Sequence, residues 1–334
     1  MYMKLDEEVE GLLCCSLCKS DLKKSADCFI CTSCGLRFPS RVVKTAEKNE
    51  ELAFDFRIIH PDYCVPEGLK SWSDAQAEYE HFSERGAERD TLKEYLDEID
   101  SVREIYTVEY HLEGKVLDVG GHQGRLRHYL GSNVSLYVSA DPYVDVFSGI
   151  ELQPNLLRAY PSLSEPCNFI SASAEYLPFR SGVFDWIHMR SVVDHFADPY
   201  LAFLEAYRCS RVGGRLLVGL SIVEKKHELD GSPAGKSDRL VPTKASLPIR
   251  VRRKLQQDGF LGLLSSISKR LRNLRTIDRL GHHTDDHMFR LTHSALMDLF
   301  AETGWGVVNE HWQKPPFEFC IYACGQKREP ILLP

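Results

Sequence analysis

Six of the chain's eleven cysteines fall between Cys14 and Cys34, and their spacing is what metal chemistry uses. Cys15 and Cys18 are separated by two residues, twelve residues follow, and Cys31 and Cys34 repeat the same gap before Gly35. Two residues between thiolates let a tight turn aim both sulfurs at one ion, and two such turns complete a tetrahedral Zn2+ site. With four protein ligands the site is structural, because no position stays open for a reacting water. Cys14 and Cys28 stand beside this set, and spacing alone leaves room for either to replace a neighbour.

A second group sits in "VLDVGGHQG". Asp118 ends an apolar run, Gly120 and Gly121 follow, and Gly124 opens the next segment. A dinucleotide fingerprint needs glycines in the G-x-G-x-x-G register, and a phosphate loop needs Gly-Lys-Ser/Thr; this turn has neither. A nucleoside without phosphates fits better. Asp141 in "LYVSADPY" ends the next apolar run, where a carboxylate accepts hydrogen bonds from both ribose hydroxyls. Histidines supply the candidate bases, being the side chains that titrate nearest neutrality. Asp194 and His195 lie in "SVVDHFADP", and "GHHTDDHMF" places His282, His283 and His287 beside Asp285 and Asp286. The second group has the side chains for acceptor contact, for a metal or for a polar loop, and spacing does not choose among them.

These residues need a scaffold. Apolar runs at 115–119, 134–140, 167–171, 184–190 and 214–222 alternate with amphipathic stretches, and two more strands are expected near 306–311 and 318–324. Strand–helix alternation implies a mostly parallel sheet covered on both faces, with ligands beyond the carboxyl ends of its strands. Residues 72–110 read as helices rich in Glu, Leu and Lys. Apolar positions from Phe260 to Leu274 recur three and four apart among Lys269, Arg270 and Arg272, an amphipathic basic helix.

The motifs resemble the S-adenosylmethionine-dependent methyltransferases, from about Gly114 to Gly325. "VLDVGGHQG" is similar to that family's first motif, Asp141 to its ribose acid, and "SASAEYLPF" to the stretch against adenine. "FDWIHMRSVVDHFADP" and "AYRCSRVGGRLLVG" are similar to its fourth strand and the turn before its fifth. The resemblance implies an α/β fold, a Rossmann-like doubly wound sheet of seven mostly parallel strands. It implies cofactor contacts from Asp118, Gly120, Gly121, His122, Gly124, Asp141, Pro142, Ser173, Ala174, Glu175, Met189 and Arg190. Catalytic candidates on the acceptor side are His195, Asp194, His283 and His287. The chain departs from the family where His122 replaces a glycine and Ser173 an aspartate. An imidazole pressed on a positive sulfur would be desolvated and, if protonated, repelled, so the His122 side chain is expected to point away from the sulfonium. The cysteine-rich head resembles the zinc ribbons that precede some ribosomal RNA guanine methyltransferases.

The expected organisation is a zinc ribbon at 1–45, a linker and helical cap at 46–112, and a methyltransferase domain at 113–334 with an insertion at about 223–290. A small-molecule or glycan acceptor is expected. RNA base methylation and a silent cofactor-fold binding protein are the rivals. The net charge of −7 disfavours nucleic acid. Yet nine Lys or Arg against two Asp between Arg250 and Leu280 give a local +7, a place for an anionic or lipid-linked substrate. No run is long enough to span a bilayer, and the acidic opening "MYMKLDEEVE" lacks a signal-peptide pattern. A cytoplasmic location is expected, with the basic segment as a means of peripheral membrane contact.

Overall fold

A computed structural model describes residues 2–44, 50–58, 70–84, 90–224, 241–242, 288–314, 317 and 319–328. The head begins with β1 (Met3–Lys4) and α1 (Glu7–Leu12). An antiparallel sheet follows, with strands β2 (Leu22–Lys24), β3 (Cys28–Cys31), β4 (Arg37–Lys44) and β5 (Glu50–Phe54) in that order. β5 pairs with β4 from Ser40 opposite Phe54 to Lys44 opposite Glu50, so this sheet runs past position 45 into the acidic stretch. The charged "EKNEE" before Leu52 masks the strand in the sequence.

Two helices come next: α2 (Lys70–Glu84) and α3 (Leu92–Glu104). Thr91 caps α3 in a reciprocal box with Glu94, and Tyr95, Ile99 and Val102 form its buried stripe. The helix then widens into a π turn over Ile105–Glu109, which buries Ile105 and Tyr106. Single π turns inside helices often mark functional sites.

The large sheet is built from β6 (Gly114–Val119), β7 (Val134–Asp141), β8 (Cys167–Ser171), β9 (Phe184–Arg190) and β10 (Ser210–Ser221). A short β11 (Val241–Pro242) pairs with β12 (Phe289–Arg290), and β13 (Trp305–Trp312) and β14 (Cys320–Lys327) complete the set. The order is β1-β8-β7-β6-β9-β10-β14-β13. The pairings from β1 to β10 are parallel, and β14 runs antiparallel to both its neighbours. This is the expected seven-stranded Rossmann-like sheet, lengthened at one edge by β1 from the head. Helices α4 (Pro154–Ala159), α5 (Pro199–Cys209) and α6 (His293–Glu302) flank it.

After β6 the chain makes only a 3-10 turn, Arg125–Tyr129, where a helix is expected. Gly124 enters it left-handed, and the Arg127 guanidinium takes the carbonyls of Gln123 and Gly124, which a longer helix would use differently, and that of Glu165. The basic stretch at 260–280 and the 282–287 cluster lie outside the described residues. No helix among the described residues is long and apolar enough to cross a membrane.

One core joins the head to the sheet. Phe29, Phe38, Phe54 and Phe56 of the head pack in the same apolar cluster as Leu177, Phe179, Val119 and Ile187. Backbone bonds cross the junction as well, from Cys14 N to Pro178 O and from Arg180 N to Leu12 O.

Candidate active site

Parallel strands end together at the carboxyl edge of a sheet, and the site assembles there. At the end of β6, Gly120 has φ +70, and a Cβ on it would collide with the Val192 side chain. That position therefore tolerates only glycine. His122 is also left-handed, at φ 49, where a side chain is strained. Its backbone N–H donates to Asp141 Oδ2 at 3.0 Å, and Tyr143 N–H donates to Oδ1 at 2.9 Å. The bend at 122 thus aims an amide at the carboxylate ending β7. Burial nevertheless pushes the Asp141 acid up to about 7.

The His122 residue is part-buried in the wall of a cavity. Its Nε2 meets Ser83 Oγ at 2.8 Å and its Nδ1 meets Gln123 Oε1. Burial, with Arg125 nearby, pushes its pKa down to about 4, so the imidazole is neutral at pH 7.

Two cavities meet at this edge. The smaller is lined by Asp141, Pro142, Ser173, Ala174 and Glu175, with Trp72 and Gln76 of α2 across from them. Ser173 Oγ is buried there with no hydrogen-bond partner among the described residues. An orphaned hydroxyl beside a buried carboxylate suits a polar ligand such as a nucleoside. Glu175 reaches into the start of α5, its Oε1 accepting from Ala197 N–H and Asp198 N–H. The larger cavity, about 250 Å³, contains Gly121, His122, Arg190, Tyr106 and His188 in its wall. Tyr79, Gly120 and Ser191 line both.

Asp118 and His188 are register partners on β6 and β9. Their side chains meet at 2.7 Å, Oδ1 to Nδ1, and His188 Nε2 meets the Tyr106 hydroxyl at 2.8 Å. Tyr137 donates to Asp118 Oδ2 at 2.5 Å. The result is a buried Asp–His–Tyr chain in the wall of the larger cavity. Beside it, Glu98 of α3 faces Arg190 at 3.2 Å and Arg125 at 3.5 Å.

Of the residues singled out from sequence, Asp118, Gly120, Gly121, His122, Asp141, Pro142, Ser173, Ala174, Glu175 and Arg190 line one or both cavities. Gly124 lines neither, and its left-handed bend serves the 3-10 turn. Met189 is wholly buried in the sheet. His195 lines the smaller cavity, its ring 5.4 Å from that of Tyr79. Asp194 lines neither; its carbonyl accepts from Met288 N–H at 2.7 Å. His283 and His287 lie outside the described residues. Sequence reasoning missed His188, Tyr106, Glu98 and Arg125. A histidine inside the apolar strand "FDWIHMR" is the signal that could have found the first.

In the head, the Sγ atoms of Cys15, Cys18, Cys31 and Cys34 lie within 4.8 Å of one another. Sulfurs of a tetrahedral zinc site are roughly 3.8 Å apart at the usual bond length, and Cys15–Cys34 at 3.7 Å and Cys18–Cys31 at 3.3 Å fit that scale. Each pair ends in a left-handed residue, Lys19 at φ 61 and Gly35 at φ 73, whose amide returns to the first cysteine's carbonyl. Cys14 and Cys28 fall outside the group of four. The donor set suits Zn2+.

Residues 117–218, from within β6 to within β10, match the family model described as a methyltransferase domain. A comparison with curated proteins gives no match. Among solved structures, 1,6-didemethyltoxoflavin-N1-methyltransferase of Burkholderia thailandensis aligns at 12% identity over 80% of this chain and 93% of its own, with a TM-score of 0.46. A SAM-dependent methyltransferase of Thermotoga maritima aligns at 16% identity over 78% of this chain and 98% of its own, TM-score 0.38. One of Methanosarcina mazei aligns at 15% over 67% and 99%, TM-score 0.40. The matched segment, residues 117–218, is thus similar to a methyltransferase domain and lies on the β6-to-β10 part of a Rossmann-like sheet.

Proposed function

We propose that the protein transfers a methyl group from S-adenosylmethionine to a small-molecule or carbohydrate-like acceptor held in the larger cavity. The observation that carries this reading is the junction of the two cavities at Gly120 and Ser191, with Asp141 on one side and the Asp118–His188–Tyr106 chain on the other. The cofactor, when bound, supplies an electrophilic methyl carbon. Asp141 would hold the ribose hydroxyls, and Ser173 Oγ with the Ala174 backbone would take the adenine. The protein's main work is then to orient the acceptor and exclude water.

An oxygen acceptor must lose a proton. We assign its uptake to Tyr106: the acceptor proton passes to the phenol oxygen as the phenol proton passes to His188 Nε2. The Asp118 carboxylate, 2.7 Å from His188 Nδ1, orients the ring so that Nε2 faces the phenol. His195, on the smaller cavity, is left to pack against Tyr79.

Tyr79, Tyr95, Tyr106 and Tyr129 give the larger cavity flat apolar faces, suited to a ring. Its wall also holds Asp90, Glu98 and Asp118 against Arg125 and Arg190, a balance that does not favour a phosphate backbone. The four cysteines would hold Zn2+ as a structural ion. Calorimetry with S-adenosylhomocysteine, followed by an acceptor screen with methyl-labelled cofactor, tests the reading. Binding of S-adenosylhomocysteine but not NAD, and label on sugars or small alcohols, is expected. Salt-sensitive labelling of RNA in place of small molecules would overturn the acceptor class.

A further inference from the structure

The chain leaving the head passes directly beneath the ribose acid. Asp55 bridges in parallel to Ser171 at the end of β8, and Phe56 N–H donates to Ser171 O at 2.7 Å. Arg57 then turns inward, its side chain 3% exposed. Its Nε and Nη2 bind the two oxygens of Asp55 at 2.9 and 2.8 Å, and its Nη1 donates to Pro142 O at 2.9 Å. Burial works to raise the Asp55 acid, but the hydrogen bonds and charge of Arg57, with Arg41, hold it below the usual carboxylate range. The guanidinium is therefore fixed at one end and holds a backbone carbonyl with the other.

That carbonyl belongs to the residue after Asp141. Pro142 has no N–H, and the next amide, Tyr143 N–H, is committed to Asp141 Oδ1. The Pro142 carbonyl is thus the handle by which the turn can be gripped, and Ser171 Oγ reaches it only at 3.5 Å. The grip leads back to the cysteine turns: Ser16, between Cys15 and Cys18, donates to Phe56 O at 2.9 Å. The Phe56 ring stacks on Phe38 at 4.7 Å and meets Phe29 at 5.6 Å.

We infer that Arg57 is a positioning residue for the cofactor's ribose, through which the cysteine head sets the aim of the Asp141 carboxylate. The inference rests on the cofactor reading above. Its consequence is that head and cofactor site are coupled, so ligand at Asp141 tightens the Arg57 junction and the reverse.

The test uses the full-length protein and S-adenosylhomocysteine as the probe. Arg57→Lys keeps the charge beside Asp55 but loses the fork that holds two partners at once. It should weaken calorimetric affinity about tenfold, the scale of one hydrogen bond to a charged group. In an Asp141→Ala background the same change should cost nothing further, because an effect that acts through Asp141 vanishes with its carboxylate and a merely structural defect would add. Hydrogen exchange on the unmodified protein gives a reading that does not depend on how the variant folds. There, S-adenosylhomocysteine should slow the Phe56 amide together with that of Tyr143. Unchanged affinity of Arg57→Lys, additive losses, or protection confined to Tyr143 would overturn the inference while leaving the cofactor reading intact. Wild-type protein that binds no S-adenosylhomocysteine would overturn both.

Discussion

In the proposed role Asp141 would have to be ionised to accept two ribose hydroxyls, yet its buried position favours the neutral acid, with a pKa raised to about 7. Ligand donors favour the charged form, so binding competes with the proton. Below pH 7 the free protein holds a proton that must leave, and affinity for S-adenosylhomocysteine should drop about tenfold from pH 8 to pH 6. Calorimetry across that range should show the drop, and Asp141→Asn should give a weaker, flat profile. His122 adds no step there, because its pKa of about 4 keeps it neutral throughout. At the larger cavity, Tyr106→Phe removes one hydroxyl and keeps the ring that stacks on Tyr129 at 4.8 Å. It should lower turnover on an acceptor found by the labelled screen by about 10²–10⁴, with S-adenosylhomocysteine affinity unchanged. Single-turnover rates with parallel calorimetry read both. Asp141 is legible in the sequence because an acid that ends an apolar strand has few structural reasons to be there. Tyr106 is not, since only the fold brings it within hydrogen-bond reach of His188, 82 positions away.

The parallel strands β6 to β10 read directly from sequence, because strands buried on both faces are continuous apolar runs, whereas the two-residue β1 does not. Helices are less legible where side chains compete for backbone carbonyls, as Arg127 does after β6. β5 is hidden for a different reason: Leu52 is 57% exposed, so the strand lacks a fully apolar outer face. α3 shows how an element positions chemistry at a distance. Its Thr91 cap fixes the start, its buried stripe sets the rotation, and Glu98 and then Tyr106 are delivered to the cavity wall. Thr91→Ala removes the side-chain acceptor of the capping box, leaving the residue-91 backbone N–H to donate to Glu94, and should cost about 1 kcal/mol of stability. Urea unfolding should show this as a lower midpoint at constant slope. Since Thr91 lines neither cavity, affinity for S-adenosylhomocysteine should change little.

For the whole molecule, the position of the head matters more than its size. A ribbon carried as an appendage would melt by itself, leaving the sheet folded. Here β1 is a strand of the large sheet, Lys19 Nζ pairs with Glu205 of α5 at 2.5 Å, and the head's phenylalanines share a core with β6 and β9. These contacts join the two parts, which argues for one cooperative unit. A metal that binds only the folded state stabilises everything that folds with it. Cys31→Ser, or chelation of a zinc-loaded preparation, should therefore lower the midpoint of a single calorimetric transition rather than split it in two. S-adenosylhomocysteine should raise that midpoint and slow the release of zinc to a colorimetric chelator, because linkage between two sites is reciprocal. Two separate transitions, with the ligand acting only on the upper one, would show that the shared core does not transmit folding from the cysteine turns to the sheet.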